Sequence, residues 1–366
     1  HTSYSLNSGT IKIYDLVKHA KKKNVPCLAM TDYMNIFGAV KFYNKCIDAH
    51  IKPIIGCEIP LISDKNKRLD NIVLICQNLN GYHNLNKILS VIHKSRSSHH
   101  GASLALIDEY NSDLLCLSGG RYGICGLNSL YNPLETTREI IQKISSIYTD
   151  RFYVEIDRTR RSKEIEYNNI ALSIAKENDL PLVASNDVLF MTDSDYEANE
   201  VKVSIIKKTK LDDRVNQEDY SPNQYFKTED EMSALFKDQT SALKNISNIV
   251  ERCNFKFKKF EYHLPKFSNP TQKQDTQYFN DLCEDGLNKY LQSNNLNETK
   301  YRERLKKEIN VIQTMGFASY FLIVQEFITW AKANDVPVGP GRGSGAGSLV
   351  AFVLGITNVD PLKYNL

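Results

Sequence analysis

Six short apolar runs in the first 190 residues constrain the fold of this 366-residue chain more than any other feature. They read PCLAMTD (26–32), KPIIGCEI (52–59), NIVLIC (71–76), LLCLSGG (114–120), RFYVEID (151–157) and LPLVASND (180–187). Between them, residues 11–20, 36–49, 139–148 and 164–175 carry apolar side chains at helical spacing. Alternating strand and helix, with nearly continuous apolar strands, predicts an α/β unit built on a mainly parallel sheet covered on both faces. Six or more such units favour a closed barrel over an open sheet. Several runs end in a polar residue: Asp32, Glu58, Ser118, Asp157 and Asp187. In a parallel barrel the C-terminal strand ends share one face, where chemistry is normally placed. Carboxylates at strand ends also cap helices and start turns. As a set these residues predict a polar pocket at one end of the barrel.

Beyond residue 190 the pattern turns helical. Thr228-Glu-Asp-Glu231 is a capping box opening a helix over 229–236, and a second helix is predicted over 240–253. Residues 191–267 thus read as a helical appendage. The stretch PKFSNPTQKQD (265–275), with two prolines, predicts a domain boundary, placing one domain at 1–267 and another at 268–366. Helices are predicted over 278–291, 301–315 and 319–333; Leu322, Ile323, Phe327, Ile328 and Trp330 leave the last apolar on most sides, so it is expected to be buried. The basic clusters RTRRSK (158–163) and KFKKF (256–260) read as solvated faces.

Composition narrows the function classes. With 46 basic and 43 acidic residues the net charge is +3, so any nucleic-acid surface has to be local. The eight cysteines form no CxxC pair and lie mostly in apolar runs, the pattern of reduced buried thiols in a cytosolic protein. No apolar run reaches the ~18 residues of a membrane span. The chain starts at His1 without an initiator Met and ends at Leu366 just past an element boundary, so it is expected to be a fragment.

Residues 336–357, VPVGPGRGSGAGSLVAFVLGIT, hold glycines at 339, 341, 343, 345 and 347 directly before an apolar run. A Walker A loop is excluded, because no lysine follows any of them. Gly341-Arg-Gly343-Ser-Gly-Ala346 fits the letters of a dinucleotide fingerprint, but the acidic residue at the right distance, Asp360, stands in a turn-like context before proline. A third reading is a phosphate cradle: loop amides and the N-terminus of the helix starting near Ser348 face an anion, helped by Arg342 and the Ser344 hydroxyl. A glycine-packed helix–helix contact is the structural alternative.

The run VPVGPGRGSGAGSLVAFVLGITNVDPLKYNL resembles the palm segment of the bacterial DNA polymerase III alpha subunit family, and MGFASYFLIVQEFITWAK resembles that family's lead-in helix. HTSYSL, TDYMNIFGAVKFY, IKPIIGCE, LSGGRYG, SNDV and YSPNQYF resemble its polymerase-and-histidinol-phosphatase (PHP) domain, so the likeness spans essentially the whole chain. The resemblance implies a distorted (β/α)7 barrel followed by the start of a nucleotidyltransferase-type palm. It implies templated DNA synthesis with primer-template DNA, dNTP and Mg2+, in the cytoplasm. The triphosphate-holding Gly-Ser pair maps to Gly343 and Ser344, flanked by Arg342. The family's catalytic aspartates are expected beyond Leu366, so these residues alone are expected to be inactive. Expected partners are a proofreading exonuclease docking on the PHP domain, a sliding clamp and other replicase subunits.

A metal-competent PHP domain uses a set of His, Asp, Glu and Cys ligands. Mapped onto this chain, His1, Glu58 and Asp187 are retained, while Ser8, Tyr33, Asn71, Gly120 and Leu189 replace an Asp, a His, a His, a Cys and a His. Leucine and glycine side chains offer no ligand. The resemblance therefore implies a metal-free domain serving as support and docking platform; a PHP-type metal-dependent phosphoesterase is the alternative.

Overall fold

The computed structural model describes every residue except 7, 63–67, 96–99, 212–218, 258–264, 266, 272 and 295. It contains two compact units, His1–Phe257 and Lys258–Leu366. Residues 258–260 of the basic cluster at 256–260, and residues 266 and 272 of the stretch 265–275, lie outside the described residues.

In the first unit six strands, β1 (Cys27–Tyr33), β2 (Lys52–Ile62), β3 (Arg68–Cys76), β4 (Leu114–Leu117), β5 (Phe152–Asp157) and β6 (Leu182–Ser185), form one sheet in sequence order. The sheet curls into a half barrel. β1–β2, β4–β5 and β5–β6 are parallel, whereas β3 is antiparallel to both neighbours. Its inversion has a simple cause: too few residues separate β2 from β3 for a crossover helix, so the chain returns beside itself. All six apolar runs of the sequence become strands. The helices are α1 (Ile13–Lys22), α2 (Ala39–Asp48), α3 (Leu79–Lys94), α4 (Leu104–Glu109), α5 (Leu134–Ile147), α6 (Glu164–Glu177), α7 (Tyr196–Lys207), α8 (Glu229–Leu235) and α9 (Thr240–Arg252).

Both faces of the sheet are covered. On one, Leu74, Cys116 and Val154 pack with Leu85 and Ile88 of α3, Ile141 and Ile144 of α5 and Ala171 of α6. On the other, Ile54, Val73, Leu115 and Val183 pack against Ile249 of α9 and Cys253 just beyond it. The segment that reads as an appendage therefore contributes α9 to the core, because its apolar side is the only partner for that face among the described residues. The capping box at α8 forms as the sequence predicts. The irregular segment before α1 bridges the sheet edges: Thr2 donates to Asp32 at the end of β1, and the Thr10 amide donates to the Leu189 carbonyl past β6.

The second unit is helical: α10 (Asp275–Gln292), α11 (Glu298–Thr314), α12 (Ala318–Ala333) and the short α13 (Leu349–Val353), preceded by a 3-10 turn over Gly343–Gly347. Phe279, Cys283, Leu287, Leu305, Leu322, Leu349 and Val350 form its core. The expected burial of α12 fails. Only Ala318 and Leu322 are buried, and Phe327 and Trp330 are 55% and 63% exposed. With α10 packed on one side, the remaining apolar face has no helix packed on it among the described residues. Among the described residues no single helix is long and apolar enough to cross a membrane.

Candidate functional site: a charge-filled barrel pocket and an open glycine loop

Parallel strands bring their C-terminal ends to one end of the half barrel, and the inverted β3 brings its N-terminal half there too. Tyr33 pairs in register with Glu58, Pro60 with Asn71, and Asp157 with Ser185. A cavity of about 450 Å³ results, lined among others by His1, Glu58, Asn71, Asp157 and Asp187. The polar pocket expected from the sequence is present.

Its charges are matched internally. His1 Nε2 lies 2.9 Å from Glu58 Oε2 and 3.9 Å from Asp187 Oδ1, while its Nδ1 meets Ser5 Oγ at 2.9 Å. The other Glu58 oxygen accepts the Asn71 amide at 2.5 Å. Burial alone pushes the His1 imidazole down, but the hydrogen bond and charge of Glu58, with Asp187 and Asp32, outweigh it and raise it to about 9. Asp32 is not free for a ligand: it accepts the Thr2 amide and hydroxyl and the Ser5 hydroxyl.

The deepest feature is an arginine that the sequence pattern assigns to a solvated cluster. Arg161 is buried; Nη2 donates to Asp157 Oδ2 at 3.0 Å, Nη1 to Asp187 Oδ2 at 2.6 Å, and Nε to Thr159 Oγ1 at 2.8 Å. The solvated-face expectation for 158–163 fails at Arg161, because two strand-end carboxylates face this position, while Arg160 and Lys163 are exposed. Arg158 of the same cluster pairs with Asp238. Asp187 also accepts the Gln224 amide at 2.9 Å, and Asp157 the Tyr167 hydroxyl at 2.5 Å. Burial raises Asp187, but the Arg161 charge and then His1 overcome it and leave the carboxyl below its ordinary range. Glu155, two strand positions from Asp157, is pushed up to about 7 by burial.

The substituted ligand positions fit this arrangement. Gly120 has φ +55°, and a Cβ there lies 3.1 Å from Asp157 Oδ2, so a cysteine is both strained and crowded. Leu189 is buried, and its backbone is used by Thr10 and Gln224. Ser8 and Tyr33 line the cavity. Among the described residues no group of three His, Cys, Asp or Glu side chains is arranged to hold a metal ion. Where a cation would be needed between Asp157 and Asp187, a guanidinium stands.

In the second unit the glycine loop is exposed over residues 341–345. Gly343 opens the 3-10 turn at φ +53°, and a Cβ at 339, 343 or 345 meets nothing within 4 Å. That openness removes the reading as a glycine-packed helix contact. The amides of Arg342, Gly343 and Ser344 have no hydrogen-bond partner among the described residues, as expected for the start of a turn. The loop base is pinned by the Asn358 amide on the Pro340 carbonyl and by Lys332 on the Gly355 carbonyl. Beside it opens a cavity of about 640 Å³ lined by Tyr320, Phe321, Ile328, Gly341 and Arg342, with the buried Thr357 hydroxyl lacking a partner among the described residues.

The N-terminus of α13, expected to face an external anion, does not. Glu308 of α11 sits on it: its oxygens accept the Leu349 and Val350 amides at 3.1 and 3.0 Å and the Ser348 hydroxyl at 2.9 Å. Asp360 is equally engaged, accepting the Tyr290 and Tyr301 hydroxyls at 2.8 and 2.6 Å and the Leu362 amide at 2.9 Å. It is a turn anchor, and the dinucleotide reading loses its acidic partner.

Comparison with known proteins matches residues 1–159 to the PHP domain family and residues 277–366 to the family described as the bacterial DNA polymerase III alpha NTPase domain. Over the whole chain the sequence is 40% identical to DNA polymerase III subunit alpha of Escherichia coli K12, and 39% identical to that of Vibrio cholerae. The chain belongs to the DNA polymerase III alpha family. It spans 32%, about a third, of the length of those curated relatives. An amidohydrolase from Chromobacterium violaceum aligns with 50% of this chain and 84% of its own at 11% identity and TM-score 0.37, too loosely to argue from. Within the polymerase III alpha family, this chain carries one stretch matching the PHP domain and one matching the alpha NTPase domain.

Proposed function

We propose that this chain is part of the catalytic subunit of a replicative DNA polymerase, cytoplasmic, extending a primer 3′-hydroxyl by templated nucleotidyl transfer. The single observation carrying this is 40% identity to a polymerase III alpha subunit across every element described above. Within it, the open amides of Arg342, Gly343 and Ser344 are the triphosphate-binding element. Backbone N–H groups at a glycine turn suit phosphate oxygens, and the Arg342 guanidinium adds charge-assisted bonds. Mg2+ supplies charge neutralisation and activation of the attacking oxygen in such reactions; neither Asp360 nor Glu308 is free to hold it, so its ligands belong to other residues of the full polymerase.

The PHP unit, on this reading, is a metal-free support. Arg161 and His1 supply the positive charge that its strand-end carboxylates need, leaving no vacant ligand set. The unit's role as docking platform for a proofreading exonuclease, alongside a sliding clamp and other replicase subunits, rests on the family relationship. The test is primer extension by the full-length polymerase. Arg342→Ala and Ser344→Ala are expected to raise the KM for dNTP roughly tenfold each, the loss of one hydrogen bond to a charged group. Unchanged KM in both refutes the loop assignment.

A further inference from the structure

Behind the glycine loop, an ion pair on α11 reaches the loop's downstream end. Arg304 and Glu308 are one turn apart on α11. Arg304 Nε donates to Glu308 Oε1 at 2.5 Å, and Nη2 donates to the Gly347 carbonyl at 2.8 Å. Glu308 in turn accepts from Ser348, Leu349 and Val350, while Ser348 Oγ accepts the Ala351 amide at 3.1 Å. One carboxylate thus receives four donors, and one guanidinium ties it to the last glycine of the loop. The downstream end of the loop is held, and the upstream end, Arg342 to Ser344, is left open.

We propose that Glu308 is a positioning residue for the incoming nucleotide. Its carboxylate is a built-in anion that satisfies the amides at 349 and 350, so that the triphosphate is confined to the amides of 342–344. The inference rests on the triphosphate reading of the loop. Two effects of removing Glu308 have opposite signs. Electrostatics alone predicts tighter triphosphate binding, because a negative charge near the loop disappears. Positioning predicts weaker binding, because the loop end loses its anchor and the phosphate finds competing amides; sub-ångström misplacement is felt strongly in such sites.

The experiment measures dNTP KM and kcat, and primer-template affinity, for the full-length polymerase carrying Glu308→Gln, Arg304→Lys or Arg342→Ala. Arg304→Lys keeps the charge but lacks the fork that spans Glu308 and Gly347, and it lies on a partly exposed helix face, which guards against loss of folding. The expected result is a KM rise of roughly tenfold for Glu308→Gln and a smaller rise for Arg304→Lys, with kcat and primer affinity within about twofold of the parent. A lowered KM for Glu308→Gln, or an unchanged KM in both variants while Arg342→Ala raises it, overturns the positioning role and leaves the loop assignment standing. An unchanged KM in Arg342→Ala overturns both.

Discussion

Replacing Arg161 by methionine keeps much of the side-chain volume and removes the guanidinium between Asp157 and Asp187. Both ion-pair contacts are short, 3.0 and 2.6 Å, and the arginine side chain is fully buried. Breaking a buried pair on one side typically costs about 3–5 kcal/mol, since the surviving charge is left uncompensated. Here two carboxylates survive, but the Asp187 side chain is 23% exposed to the cavity and keeps Gln224, and Asp157 keeps the Tyr167 hydroxyl. The lower half of that range, about 3–4 kcal/mol, is therefore expected. For a unit of this size it corresponds to a fall in unfolding temperature of roughly 6–16 °C. The assay is thermal and urea unfolding of the 366-residue chain by circular dichroism, with Arg160→Gln as control because Arg160 is exposed in the same basic cluster. The control is expected to stay within about 0.5 kcal/mol. Adding Asp187→Asn to Arg161→Met should recover part of the loss, because one orphaned charge is removed with its partner. Equal transitions for the Arg160 and Arg161 variants would refute the claim that this guanidinium holds the pocket.

Three further outcomes follow from the same geometry. His1 is raised from 6.5 to about 9 and Glu155 from 4.5 to about 7, so both bind protons more tightly in the folded state; stability should fall as pH rises from 4.5 to 9, and Glu155→Gln should confine the fall to pH above about 6.5, read from urea midpoints. Asp360→Asn weakens an acceptor shared by two tyrosine hydroxyls and two turn amides, and should destabilise the second unit by about 2 kcal/mol; Trp330, the chain's one tryptophan, lies in that unit and reports it by fluorescence. Stoichiometric zinc or manganese should neither co-purify with the chain, by elemental analysis, nor raise its unfolding temperature; either result would refute the metal-free reading.

Strands were legible because each apolar run stands alone between polar stretches, so Ile54 to Ile59 or Val154 to Ile156 mark themselves. The helix Leu79–Lys94 was harder: Gly81 and three asparagines lower its local propensity, although Leu85, Ile88, Leu89 and Ile92 keep the helical spacing. The inverted β3 could have been read from the short interval between two apolar runs, which leaves no room for a crossover. Arg161 was out of reach. Its partner Asp187 is 26 positions away, and a basic cluster on a loop has the same composition whether it faces solvent or a carboxylate pair. Glu308 was hidden in the same way, since its amides are 41 and 42 positions distant and its i, i+4 arginine makes it look like an ordinary surface pair.

The two polar regions of the chain solve one electrostatic problem with opposite signs. In the barrel pocket, converging carboxylates attract a cation, and Arg161 with His1 provides it from within; the retained Glu58 and Asp187 each hold protein donors, so an external metal has to displace several hydrogen bonds at once. Behind the glycine loop, converging amides attract an anion, and Glu308 provides one, but only for the downstream half. Upstream, Arg342, Gly343 and Ser344 lie exposed, with amides that have no hydrogen-bond partner among the described residues. On the proposed reading this open donor set beside an arginine is what phosphate oxygens occupy, whereas the set closed by internal counter-ions is architecture. On the proposed reading the loop is the nucleotide-binding element, and the charge balance of the pocket keeps its own unit folded.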